Sequence, residues 1–99
     1  MIKCVVIDDQ KSAEVVVNHI TKKTELQLIE TFTNPLEALI FLENQDIDLV
    51  FTDMEMPLIN GIELMKTLLF KKGTTIPKFI FVTGLNLQQK SGQKVKRHF

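Results

Sequence analysis

With 99 residues, the chain has material for one small domain around one core. Although 44% of it is hydrophobic, no stretch is apolar for the length of a membrane span, and the opening residues lack the apolar region and cleavage site of a secretory signal. Twelve Lys/Arg balance twelve Asp/Glu, and a single cysteine, Cys4, leaves no disulfide framework and no metal–thiolate set. A cytoplasmic protein with a buried, inert Cys4 thiol is the expectation. Residues 1–83 hold eight Lys/Arg against twelve Asp/Glu, whereas Lys90, Lys94, Lys96 and Arg97 follow with no acid. With only Phe99 as an aromatic nearby, that basic tail reads as a solvated face or frayed end, and no direct nucleic-acid contact is expected.

The first element is a strand, the apolar run of Cys4 to Ile7 ending in Asp8 and Asp9. A continuous β-branched run suits a strand covered on both faces. Ala13, Val16, Val17 and Ile20 then fall at helical spacing, with Lys22 and Lys23 in the last turn. Leu26 to Thr33 forms a second strand in which Leu26, Leu28 and Phe32 alternate with polar residues. Asn34 and Pro35 start a second helix as N-cap and first helical residue, with Glu37 completing an approximate capping box. Leu36, Leu39, Ile40 and Phe41 make its expected core stripe, up to Asn44.

Asp48 to Asp53 reads as a third strand, and Met54 to Gly61 as a loop shaped by Pro57 and Gly61. Ile62, Met65, Leu68 and Leu69 give a third helical face, closed by Lys71, Lys72 and Gly73. Ile76 to Thr83 is a fourth strand, followed by Gly84 and a polar tail. Strands alternating with helices predict an α/β fold, a doubly wound parallel sheet with right-handed crossovers.

In such sheets, ligands bind beyond the carboxyl ends of the strands. In a 2-1-3-4 strand order, Asp8, Asp9 and Asp53 converge there, with Thr83 beside them. Three clustered carboxylates repel one another unless exposed or neutralised by a hard cation. Mg²⁺, which favours a few carboxylates and several waters, suits them. A carboxylate also attacks phosphorus to give an aspartyl phosphate, and a hydroxyl such as Thr83 donates to a phosphoryl oxygen. Taken singly, each Asp equally suits a helix cap or turn, and Thr83 suits any strand.

The motifs Val-Val-Ile-Asp8-Asp9, Asp53-Met-Glu-Met-Pro57-Leu-Ile-Asn-Gly61 and Phe-Ile-Phe-Val-Thr83-Gly84 resemble, in order and spacing, the receiver domain of two-component response regulators. The resemblance covers roughly residues 2–84, and Asn34-Pro35-Leu-Glu-Ala-Leu looks most like the receivers that precede LytTR-type DNA-binding domains. It implies a flavodoxin/CheY-like fold that accepts a phosphoryl group from a sensor histidine kinase. Such a domain is not an enzyme on other substrates, although it assists its own phosphorylation and dephosphorylation. Asp53 matches the phosphoacceptor and Asp9 the direct Mg²⁺ ligand. Asp8 matches the partner that holds the metal largely through water, and Glu55 the position whose backbone carbonyl completes the metal site. Thr83 matches the hydroxyl that moves toward the phosphoryl group, and Gly84 a small position beside the site.

Family members carry a fifth strand with an aromatic switch residue and a Lys-Pro pair, followed by a last helix. The sequence reaches Phe99 before that lysine is due, and Lys90, Lys94 and Lys96 come too early and lack a following Pro. The expectation is a receiver-like domain over 1–84 and a basic tail over 85–99 forming a partial fourth helix. The fifth strand and last helix are expected to be missing, and a homodimer is expected through the fourth-strand edge or the tail. Two other readings stay open: a receiver-fold interaction module without competent phosphotransfer, and an aspartyl-nucleophile phosphatase. The second fits less well, because Glu55 stands where such enzymes usually carry a second Asp.

Overall fold

The computed structural model describes residues 1–8 and 13–82. Its elements run β1 (Ile2–Ile7), α1 (Ala13–Thr21), β2 (Leu26–Phe32), α2 (Pro35–Asn44), β3 (Leu49–Thr52), α3 (Gly61–Lys72) and β4 (Lys78–Phe81). The four strands form one parallel sheet in the order β2-β1-β3-β4, the α/β arrangement and the 2-1-3-4 order expected. Residues 83–99 lie outside the described residues, and so do the expectations of a tail helix and of an absent fifth strand and last helix.

Central β1 explains the unbroken apolar run, since Cys4, Val5, Val6 and Ile7 are all buried. Val5, Ile7 and Val50 face α2 and α3, packing on Leu42, Leu64 and Leu68. Cys4 and Val6 face α1, meeting Val16 and Ile20. Each such fully buried side chain contributes about 1.5–3 kcal/mol of transfer free energy. Asp48 anchors the amino ends of three strands. Its Oδ2 accepts from the Lys3 N–H at 2.8 Å, its N–H donates to the Lys3 carbonyl, and its carbonyl accepts from Lys78.

Four local expectations are corrected. Strict alternation puts Phe32 on the face of Leu26 and Leu28, but the β1–β2 register jumps between Cys4 and Val5, leaving Ile29 as an extra residue. Leu26 and Leu28 therefore pack on the α1 side, while Ile29 and Phe32 pack on the other. In α2 the buried row is Pro35, Ala38, Leu39 and Leu42, and Leu36 and Ile40 are exposed. That helix is apolar on most sides, so periodicity does not fix its rotation; small Ala38 is fully buried in the core cluster with Val5, Ile7 and Val50. In α3 the buried row is Gly61, Leu64 and Leu68, and Leu69 turns outward. Finally, α1 ends at Thr21, so Lys22 and Lys23 fall in the following turn, and His19 is the basic residue of its last turn.

The helix caps also redistribute. Asn34 caps α2 by accepting from the Leu36 N–H at 2.9 Å, without a reciprocal bond from Glu37. The full capping box belongs to α3, where Asn60 Oδ1 accepts from the Glu63 N–H at 2.8 Å and Glu63 Oε1 accepts from the Asn60 N–H at 2.9 Å.

Candidate functional site

The parallel register brings two of the sequence-derived acids to one edge. Ile7 pairs with Thr52, so Asp8 and Asp53 are the next residues of adjacent strands. The ladder ends on them: the Asp53 N–H donates to the Ile7 carbonyl at 3.1 Å, and the Asp8 N–H donates to Phe32 at 2.9 Å. Asp8 is 3% exposed, whereas Asp53 is half-buried and reaches the rim. Asp9, Thr83 and Gly84 lie outside the described residues.

Asp53 is tied down at several points. Its Oδ1 accepts from the Glu55 N–H at 3.2 Å, a turn-forming contact. Its carbonyl accepts from Thr52 Oγ1 at 3.0 Å. Thr52 is fully buried, and its hydroxyl also lies 4.0 Å from Met56 Sδ, so it links the strand end to the loop. Glu55 itself is exposed, its side chain on the solvent side of the loop.

The loop from Asp53 to Asn60 folds back tightly on the strand. The Gly61 N–H donates to the Met54 carbonyl at 2.9 Å. A Cβ on Gly61 would stand 2.6 Å from the Asp53 carbonyl oxygen and 3.2 Å from both Met54 Cα and Phe81 Cε1. Gly61 is thus required by close backbone approach. At the loop tip, the Ile59 N–H donates to the Pro57 carbonyl at 2.8 Å while Leu58 sits at φ 75°, a γ-turn in a conformation that costs an L-residue strain. Leu58 is 76% exposed, so no packing of its side chain explains the strain.

Sequence reading missed the Thr52 hydroxyl and the Leu58 γ-turn, which have no local signature. It also missed the Asn60–Glu63 capping box, assigning one to Asn34 and Glu37 instead, although Asn-Gly-Ile-Glu before an apolar helix carries the signature.

The donor set fits a hard cation. Carboxylates from two adjacent strand ends, one buried and one half-buried, are the oxygen donors that such a cation takes. Cys4 stands apart from this edge: its buried Sγ donates to the Gln27 carbonyl at 3.5 Å, and burial pushes the thiol pKa up.

The family model described as "Response regulator receiver domain" matches residues 4–97. The chain belongs to the response regulator receiver family. An uncharacterized response regulatory protein of Shewanella oneidensis is 33% identical over 87 residues, 87% of this chain and 36% of that protein. Sporulation initiation phosphotransferase F of Bacillus subtilis is 33% identical over 64 residues, 65% of this chain and 51% of that protein. The response regulator domain of Thermotoga maritima CheB superposes with a TM-score of 0.64 at 30% identity, covering 76% of this chain and 56% of that one. The chain spans about a third of the length of the first curated relatives it matches. Membership places it in two-component signalling and confirms the CheY-like fold. Among the described residues, no helix is long and apolar enough to cross a membrane.

Proposed function

We propose that this receiver accepts a phosphoryl group on Asp53 from a phosphohistidine of a sensor kinase, with Mg²⁺ at the adjacent acids, in the cytoplasm. The observation that carries the reading is the placement of Asp8 and Asp53 directly after the register pair Ile7–Thr52 at the carboxyl edge of the sheet. A relative named as a phosphotransferase supports it.

In this reading an Asp53 oxygen attacks phosphorus in line with the imidazole nitrogen. The O–P bond forms, the N–P bond breaks, and the leaving nitrogen keeps the electron pair. The Glu55 N–H on Oδ1 and the Thr52 hydroxyl on the carbonyl hold the nucleophile in orientation before the donor arrives. Asp8 and Asp9, with Asp53 and the Glu55 carbonyl, would hold Mg²⁺, which offsets charge on the transferring oxygens. Thr83 would donate its hydroxyl to a phosphoryl oxygen.

Incubation with acetyl phosphate, followed by intact-protein mass spectrometry, tests the proposal. Addition of one phosphoryl mass that requires Mg²⁺ and disappears in Asp53→Asn is expected. Labelling that ignores Mg²⁺, or that survives in Asp53→Asn, contradicts it. Asp8→Asn should weaken Mg²⁺ binding, read by amide shifts at Asp53 and Glu55 on titration.

A further inference from the structure

The outer surface of α2 and α3 carries apolar groups that the core does not use. Phe70 is 91% exposed, Ile40 61% and Leu36 44%. Single exposed apolar side chains are ordinary, but three on one surface call for an explanation. Leu36, Ile40 and Glu43 lie at i, i+4 and i+7, one row along α2. The end of that row reaches α3, where Glu43 Oε2 stands 3.8 Å from Lys71 Nζ. Phe70, next to Lys71, lies away from the buried row of Gly61, Leu64 and Leu68. The two helices thus present one face, apolar along its middle.

The charges on that face are split by helix. Outside its apolar residues, α2 carries Glu37 and Glu43 and no cation, whereas α3 carries Lys66, Lys71 and Lys72 against Glu63. The spacings also match. Glu37 and Glu43 are six residues apart, about 9 Å along a helix, and Lys66 and Lys71 are five apart, about 7.5 Å. Both helices run the same way from a parallel sheet, and Glu43 and Lys71 share a level.

We propose that this face pairs with the same face of a second copy of the chain. The two-fold axis runs along the helices, so α2 of each copy lies over α3 of the other. Glu37 then faces Lys66 of the other copy, Glu43 faces its Lys71, and Phe70 covers its Ile40, about 3 Å away in level along the helices. An isologous contact demands such self-complementarity. The patch is small, which sets a weak, concentration-dependent dimer rather than an obligate one. The contact involves neither Asp53 nor the sheet edge, so it stands apart from the phosphorylation reading.

Sedimentation equilibrium of the full chain from about 1 µM to about 1 mM tests this, a range that brackets weak association. A monomer–dimer equilibrium is expected, with Phe70→Ser raising the Kd at least about tenfold. Because Phe70 is so exposed, that variant keeps its fold, which circular dichroism checks. Lys66→Glu and Glu37→Lys should each weaken the dimer, and mixing the two variants should restore association through heterodimers. A monomer at every concentration overturns the proposal. So does a dimer insensitive to Phe70→Ser, which would move the interface elsewhere, for example to the β4 edge.

Discussion

Replacing Gly61 by Ala tests how tightly the candidate acceptor is held. The added methyl carbon would begin 2.6 Å from the Asp53 carbonyl oxygen, with Met54 Cα and Phe81 Cε1 each at 3.2 Å. Relief requires a shift of roughly 0.8 Å to reach ordinary contact, and the obstructing oxygen is backbone, not a flexible side chain. Overpacking of this kind costs about 1–3 kcal/mol. Against it, Ala restricts the unfolded chain and favours helix, which together return about 0.5–1 kcal/mol. The net expectation is a loss of about 1–2 kcal/mol, read as a lower urea midpoint at unchanged slope. Because the displaced atom belongs to Asp53, acetyl phosphate labelling should also slow, since shifts of this size spoil reactive geometry. A Gly61→Ala variant as stable as the parent, labelling at the parent rate, would refute the close-approach argument. Gly73 is the contrast: a Cβ there meets nothing within 4 Å, but the residue sits at φ 70°, ψ −144°. Gly73→Ala should cost about 1–3 kcal/mol through backbone strain alone, with no change in labelling rate, and Asn should not rescue because its left-handed well lies at another ψ.

Three further outcomes follow from the same structure. Leu58→Gly should stabilise the domain by about 1 kcal/mol in urea unfolding, because relief of the γ-turn strain exceeds the added chain entropy of glycine. Lys72 Nζ donates to the Leu42 carbonyl at 3.0 Å and approaches that of Gln45 at 3.5 Å, capping the end of α2 from α3. Lys72→Met, which keeps the stem, should cost about 1 kcal/mol, less than a fully buried charged bond because the site is partly solvated. Burial raises the Cys4 thiol pKa, so the folded state holds its proton more tightly than the unfolded chain does. That contribution is complete below the ordinary thiol pKa of about 8.5 and is lost as pH rises through it toward the folded value. Unfolding midpoints measured across this window should fall, and Cys4→Ala should flatten the decline.

Much of this fold was legible because punctuation and period agreed. Asn34-Pro35 marked the start of α2, Gly73 the end of α3, and the unbroken β1 run announced a strand covered on both sides. Helix rotation was less legible. In α2, Leu36, Leu39, Ile40, Phe41 and Leu42 are all apolar, so the buried row, which includes Ala38, is a tertiary decision. In α3, the Gly61–Asp53 contact selects the row through Leu64 and Leu68 over the one through Leu69. The extra residue at Ile29 reverses the faces of β2 without any Gly or Pro to signal it. At the site, residue types and strand ends gave Asp8 and Asp53. The Thr52 hydroxyl on the Asp53 carbonyl emerges only once the loop is folded back.

Site-resolved chemistry on the phosphorylated protein tests the central claim most directly. Borohydride reduces an aspartyl phosphate to the corresponding alcohol, leaving a stable mark at the modified residue. After acetyl phosphate and Mg²⁺, tandem mass spectrometry should find that mark at Asp53. A mark at Asp8, Asp9 or another carboxylate while Asp53 stays unmodified would contradict the account.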